Sequence, residues 1–323
     1  MFVAGALIAV GVLLSRQWQD LAHLRSEIET FPWRISWGWI AAALALATLN
    51  LFLMAGVWVD LFRARGGTVD RLGGTRIWLV TNLGRYIPGK VWQFVGMAAY
   101  MKERSGEGAL ALGATITFQL LSILTGLAVA LAVLGTRALE LPGGSPVRLA
   151  LLVVALVVLL HPAVMRVLVR LAARLLSEDA DPAPTSVAAD VRAAGGLLIA
   201  WGVYGLGFWC LARGTMSGPL PGPVVLAGVF AGGYVVGYLA LIAPGGIVIR
   251  EGAIAGLLAA LTPMSLGVAA ALAAMTRIWI ILSELLAISL VAVPGRGRTG
   301  RERGAAPAGR SRTTDDSDNN QRT

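Results

Sequence analysis

The sequence predicts an all-α bundle that crosses a membrane many times, and three observations predict it. The chain is 56% hydrophobic and only 14% charged, whereas soluble domains carry about 25% charged residues. Its apolar residues are gathered into runs, most of them long enough to cross a hydrocarbon core about 30 Å thick as helices of about 20 residues. The loops between the runs alternate between arginine-rich and arginine-poor, the pattern that orients membrane helices. A length of 323 residues would allow two soluble domains, but a surface this apolar is better solvated by lipid than by water.

Phe2–Leu14 is the first apolar run. It is short for a span and lacks the basic start and small-residue cleavage site of a signal peptide, so it reads as a first transmembrane helix with a trimmed start. Ile35–Val59, Ala109–Leu134, Val147–Val169, Ala193–Leu211 and Ser265–Val293 can each cross fully. Two further regions are interrupted. Ile77–Ile87 is followed by Pro88-Gly89 and then Lys90–Met101; Val224–Ala243 is followed by Pro244-Gly245-Gly246 and then Ile247–Leu261. At 1.5 Å per residue the first of these half-segments reaches about 16 Å, roughly half the core. Proline removes a helix donor and glycine permits a sharp reversal. The economical shape is a re-entrant hairpin with its tip inside the protein or beside a wet cavity, because unpaired backbone is not tolerated against lipid. The longer second region is either a hairpin or a full crossing.

Loop 60–76 holds Arg63, Arg65, Arg71 and Arg76, and loop 166–192 holds Arg166, Arg170, Arg174 and Arg192. Loops 135–146 and 214–223 carry at most one arginine each. The basic loops are therefore cytoplasmic. Loop 16–34 is balanced in charge and orients nothing. The first hairpin then opens to the cytoplasm, the second interrupted region begins outside, and the last span returns the C-terminus to the cytoplasm. The chain divides into a membrane domain over 1–294 and a disordered basic tail over 295–323. The tail, with arginines from Arg296 to Arg322, fits anionic lipid headgroups better than nucleic acid. Pro88-Gly89 followed by Gly96 matches Pro244-Gly245 followed by Gly252, an offset of 156 residues (88 to 244). The same offset carries span 109–134 onto the last span. Two broken segments at matching positions of opposed halves point to a transporter site near the membrane midplane.

Charges that lipid disfavours cluster at these breaks. Arg85 and Lys90 flank the first; Arg250 and Glu251 follow the second; Arg277 and Glu284 lie deep in the last span. Each costs about 2.5–3.5 kcal/mol at a bilayer centre by insertion scales, so each must face protein, water or a charged ligand. Arg277 and Glu284 are about 10.5 Å apart on one helix face, too far to pair. Glu251 and Arg250 are their obvious partners. A closed ion-pair network would lock the helices and bind nothing. The deep cations outnumber the acids, however, and this favours a cationic pocket for a phosphate headgroup, since guanidinium binds phosphate in a bidentate fork and ammonium adds a point charge. Asn50, Asn82, Gln93 and Gln119 are each read first as interhelical hydrogen-bonding groups. Trp33, Trp37, Trp39, Trp58, Trp78 and Trp92 are read as an interfacial belt. Cys210 is the only cysteine, which excludes an intramolecular disulfide and a cysteine metal site. His161, beside Pro162, is read as structural. There is no HExxH, Walker A or GxSxG motif, and no metal or cofactor is expected.

Residues Asn82-Leu83-Gly84-Arg85-Tyr86-Ile87-Pro88-Gly89-Lys90-Val91-Trp92-Gln93 resemble the first signature of the lysylphosphatidylglycerol synthase transmembrane region, a flippase-like family of bacterial and archaeal membrane proteins. Ala243-Pro244-Gly245-Gly246-Ile247-Val248-Ile249-Arg250-Glu251-Gly252 resemble its second signature. The resemblance covers roughly residues 1–295. It implies a lipid-translocating domain of about eight passes in the cell membrane. Members that aminoacylate lipids carry a soluble transferase domain as well; no such domain follows Val293 here, so that activity is not carried over. Charge and resemblance together mark Arg85, Tyr86, Pro88, Gly89, Lys90, Gln93, Pro244, Gly245, Gly246, Arg250, Glu251, Arg277 and Glu284 as substrate-binding. The expected substrate is an anionic phospholipid, glycolipid or polyprenyl-phosphate, with envelope or glycolipid synthesis enzymes as partners. Two alternatives are an intramembrane enzyme acting on a lipid phosphate, with Glu251 as its only attractive base, and a scaffold for an envelope-synthesis complex. The lipid, the direction, the coupling ion and the oligomeric state are left open by the sequence.

Overall fold

The computed structural model describes residues 25–87, 91–140, 186–240 and 248–292, with isolated positions between 146 and 171. The first apolar run, most of 147–169, both Pro-Gly breaks and the tail lie outside the described residues. Among these residues the chain is helical throughout: α1 (Trp37–Ala64), α2 (Arg71–Thr81), a 3-10 turn (Asn82–Tyr86), α3 (Trp92–Ser105), α4 (Gly108–Glu140), α5 (Val187–Thr215), α6 (Pro223–Leu239), α7 (Ile249–Leu261) and α8 (Leu266–Ala292). Four helices, α1, α4, α5 and α8, are long and apolar enough to cross a membrane, and α6 is a shorter apolar helix. Each long helix carries a buried face and an apolar exposed one. Trp58, Phe208, Phe230 and Leu272 are inside, while Ile199, Ile278 and Leu285 stay exposed, as residues facing lipid do. The protein is a multi-pass membrane protein.

Several boundaries differ from the expected ones, each for a local reason. The loop expected over 60–76 is much shorter. Arg63 lies in the last turn of α1, where its charge suits the helix C-terminus. Arg71 and Arg76 lie on α2, which starts early because Asp70 caps it by accepting from Gly73 N at 3.0 Å. From Arg71 to Tyr86 the chain therefore advances about 26 Å rather than 16. Helix α4 runs on to Glu140, through residues expected to form a loop, and α5 starts at Val187 on a Ser186 cap. Trp58 and Trp78 leave the expected belt for the interior, because the Trp58 indole finds Thr115 Oγ1 at 3.0 Å and Trp78 packs edge-on against Phe118. Trp37, Trp39 and Trp92 are exposed, as belt residues are.

The helix boundaries repeat at the offset of the Pro-Gly motifs. Shifted by 156 residues, Trp92–Ser105 falls on Ile249–Leu261, and Arg71–Thr81 falls inside Pro223–Leu239. The packing repeats too. Helices α1 and α5 are each other's main partner. Helix α4 packs on α5 and α6, and α8 packs on the equivalent α1 and α2. The main helix–helix pairings of the first four helices each have a counterpart in the last four. One end of the bundle is tied across the halves. Ser36 N donates to Gly214 O at 2.8 Å, Ser217 Oγ to Pro32 O at 2.6 Å, and Gly267 N at the start of α8 to Glu27 Oε2 at 2.7 Å.

Candidate functional site

A cavity of about 820 Å³ of empty space, part of it open to the surroundings, lies between the two sets of helices. Trp78 of α2 and Asn82 of the following turn face it from one side. Tyr234 and Tyr238, the residues at the equivalent positions of α6, face it from the other. Gln93 of α3 and Phe118 and Gln119 of α4 add a polar and aromatic wall, and Trp201, Tyr204 and Phe230 add an aromatic one. Arg85, Tyr86, Arg250 and Arg277 also line it, beside apolar Leu51, Met54 and Ile280. Two glycines bring the backbones close enough. A Cβ on Gly237 would lie 2.6 Å from Arg250 Cβ, and one on Gly84 would lie 2.9 Å from Gln93 N. Glycine is thus required where α6 meets α7 and where the 3-10 turn folds back on α3.

The three arginines have different surroundings. Arg85 forms an ion pair with Glu284, whose other oxygen accepts from Tyr86 Oη at 2.8 Å. Arg277 Nε lies 3.6 Å from Glu251 Oε1, and Glu251 Oε2 accepts from Val248 N at 2.8 Å, capping α7. The Tyr86 ring sits under both guanidinium groups, 5.3 Å from that of Arg85 and 5.8 Å from that of Arg277. Arg250 is different. It is 8% exposed, its Nε and Nη2 are buried without a hydrogen-bond partner, and the Phe230 ring at 4.8 Å is its aromatic contact. Val248, just before α7, has a φ of +70°, a region that β-branched residues rarely adopt.

Of the residues expected to bind, the structure brings Arg85, Tyr86, Gln93, Arg250 and Arg277 to one cavity. Glu251 and Glu284 are not on its lining; they sit behind the arginines as counter-charges. The expected partner of Glu284, Arg250, is corrected to Arg85. The carboxylate lies against the 3-10 turn, where Arg85 and Tyr86 both reach it, while α7 carries Arg250 into the cavity. The expected pairing of Arg277 with Glu251 is found, and Arg85 takes the other acid. Pro88, Gly89, Lys90, Pro244, Gly245 and Gly246 lie outside the described residues. Asn82, Gln93 and Gln119 do line the cavity. Asn50 is buried and not on the lining; its amide nitrogen meets the Met54 sulfur at 3.8 Å. The sequence reading missed Trp201, Tyr204, Phe230, Tyr234 and Tyr238. A signal was there, since the chain has five tyrosines and four of them, all but Tyr100, line this one cavity.

These features define a multi-pass helical membrane protein whose two similarly packed halves enclose a largely aromatic cavity edged by arginine and amide side chains. A family model described as the lysylphosphatidylglycerol synthase TM region matches residues 1–286, and the chain belongs to that family. No curated protein and no solved structure gives a match.

Proposed function

We propose that the protein is a lipid transporter, a flippase or scramblase, that moves an anionic headgroup through the cavity while the acyl chains stay in the bilayer. One observation carries this reading: Arg250, a buried arginine with two nitrogens that lack a hydrogen-bond partner, belongs to the lining of the cavity. A buried guanidinium with two unsatisfied donors is costly, and a single ring beneath it offsets only about 2 kcal/mol. A phosphate bound in the cavity would give this guanidinium the charged acceptor that it lacks. Arg85 and Arg277, held by Glu284 and Glu251, add a positive field around it. The paired packing of the halves supports an inverted repeat in which the two Pro-Gly breaks are re-entrant and the chain makes about eight passes. The basic loops support a cell-membrane location with the C-terminus in the cytoplasm.

We read the protein as a carrier rather than an enzyme, because the carboxylate best suited to act as a base, Glu251, is occupied by a backbone N–H and by Arg277. No ATP motif occurs in the sequence, so the driving force is an ion gradient, the lipid gradient or a partner enzyme that supplies or consumes the lipid. Protein reconstituted in vesicles moves labelled phosphatidylglycerol between leaflets, and Arg250→Ala slows it by about tenfold or more. Equal rates for the two proteins would remove Arg250 from the site. Native mass spectra of gently purified protein carry an anionic lipid that the variant lacks. Chemical turnover of such a lipid by the purified protein alone would favour the enzyme reading instead.

A further inference from the structure

The arginines at the two ends of the bundle are handled differently. At the end with the basic loops, three are spent within the protein. Arg63 Nε donates to Val69 O at 2.9 Å, Arg65 reaches Leu61 O and Thr117 Oγ1, and Arg71 Nη2 lies 3.0 Å from Asp60 Oδ1. At the opposite end Arg34 and Arg213 are exposed, and neither has an acidic partner among the described residues.

The fold brings these two together. Arg34 N donates to Thr215 O at 3.2 Å and Ser36 N to Gly214 O at 2.8 Å. Trp33 and Met216 form an antiparallel bridge. The extended segment before α1 therefore lies beside the last turn of α5, which holds Arg213. The Arg213 guanidinium is seated on the Trp209 ring, 5.2 Å from its centroid, and Trp39 packs edge-on against that ring at 5.5 Å. A guanidinium stacked on an indole keeps its N–H edge for an acceptor. Ile35, Trp37 and Trp39, next along the chain from Arg34, are exposed. Among the described residues the indole N–H groups of Trp37, Trp39 and Trp209 have no acceptor in the protein.

Indoles gather at the headgroup level of a bilayer, and this sets both arginines at the depth of lipid phosphates. The C-terminus of α5 suits one cation. It does not account for two cations with exposed indoles around them. Like charges held at one place repel, and an anion between them relieves the repulsion. Phosphate accepts from guanidinium in a fork, and the exposed apolar side chains suit the glycerol and upper acyl chains that follow a lipid phosphate.

We propose that this end of α1 and α5 binds one anionic phospholipid, in the leaflet away from the basic loops. Its phosphate sits between Arg34 and Arg213, and its glycerol and upper chains lie against Ile35, Trp37 and Trp39. None of these residues lines the cavity, so the site stands whatever the cavity carries.

The test titrates the full chain in detergent with phosphatidylglycerol or phosphatidylcholine and counts bound lipids by native mass spectrometry. Arg34→Gln and Arg213→Gln each weaken one phosphatidylglycerol about fivefold, the effect of one basic residue at an anionic lipid surface. The double variant loses that lipid, and binding of phosphatidylcholine is unchanged. Arg34→Lys keeps most of the affinity. Arg34 belongs to no helix, so its single variant gives the reading if Arg213→Gln fails to fold. Equal phosphatidylglycerol binding by wild type and the double variant overturns the proposal. Equal loss of both lipids overturns it too, since the indoles alone would then hold lipid. Displacement of the lipid by millimolar inorganic phosphate would make this a free-phosphate site instead. Loss of the same lipid in Arg250→Met, with Arg34→Gln and Arg213→Gln unaffected, would assign it to the cavity and remove the second site.

Discussion

Arg65 at one end of α1 and Arg250 at the cavity are almost equally buried, 7% and 8% exposed, yet their surroundings are opposite. Arg65 Nη1 donates to Leu61 O at 3.2 Å, and its Nη2 donates to Thr117 Oγ1. Burial lowers its pKa, and the Asp190 carboxylate across the α1–α5 packing raises it again. That arginine joins three helices and is nearly satisfied; only its Nε is left over. Arg250 has two such nitrogens and a ring for a neighbour. Burial alone thus does not separate these two arginines. The number of donors already spent does.

The comparison can be tested in four ways, from the largest effect to the smallest. Arg250→Met slows lipid transfer by about tenfold or more without lowering the melting temperature in detergent, because it removes donors that the fold leaves unsatisfied. A clear loss of stability would mean that Arg250 is a second Arg65. Glu284→Gln turns Arg85 into another unpartnered cation and destabilises the protein by about 3 kcal/mol, the lower end for a broken buried pair because Arg85 is partly exposed. The double change Arg85→Gln with Glu284→Gln recovers most of that loss, which chemical denaturation in detergent can measure. Arg65→Met costs about 2 kcal/mol of stability through its lost charged hydrogen bonds, while transfer per folded molecule stays the same. Thr117→Val removes only the side-chain acceptor of Arg65 and costs about 1 kcal/mol. If Thr117→Val matched Arg65→Met, the backbone bond to Leu61 would contribute nothing.

Much of the fold was legible in the sequence because a bilayer imposes strict rules on it. Apolar length alone located α1, α4, α5 and α8, since a lipid-exposed helix must satisfy its backbone internally and cover itself with apolar side chains. The Pro-Gly offset predicted the repeat that helix boundaries and packing partners then followed. Capping was less visible. Asp70 and Ser186 started α2 and α5 earlier than hydropathy suggested, because a single hydrogen bond outweighs a few polar residues at a helix start.

The site was legible only in part. The sequence by itself determined that Arg85, Arg250, Glu251, Arg277 and Glu284 must be dealt with somewhere inside, because each is a charge in an otherwise apolar segment. The tertiary structure alone decided who neutralises whom. Residues 85 and 284 come together from distant parts of the chain, and Arg250 is left over by the way α7 packs on Gly237. Tyr204, Tyr234 and Tyr238 escaped notice because none costs enough alone to stand out in an apolar run. Their role depends on four helices meeting around one space, and pairings across such a space are set by packing geometry, which spacing along one chain does not encode.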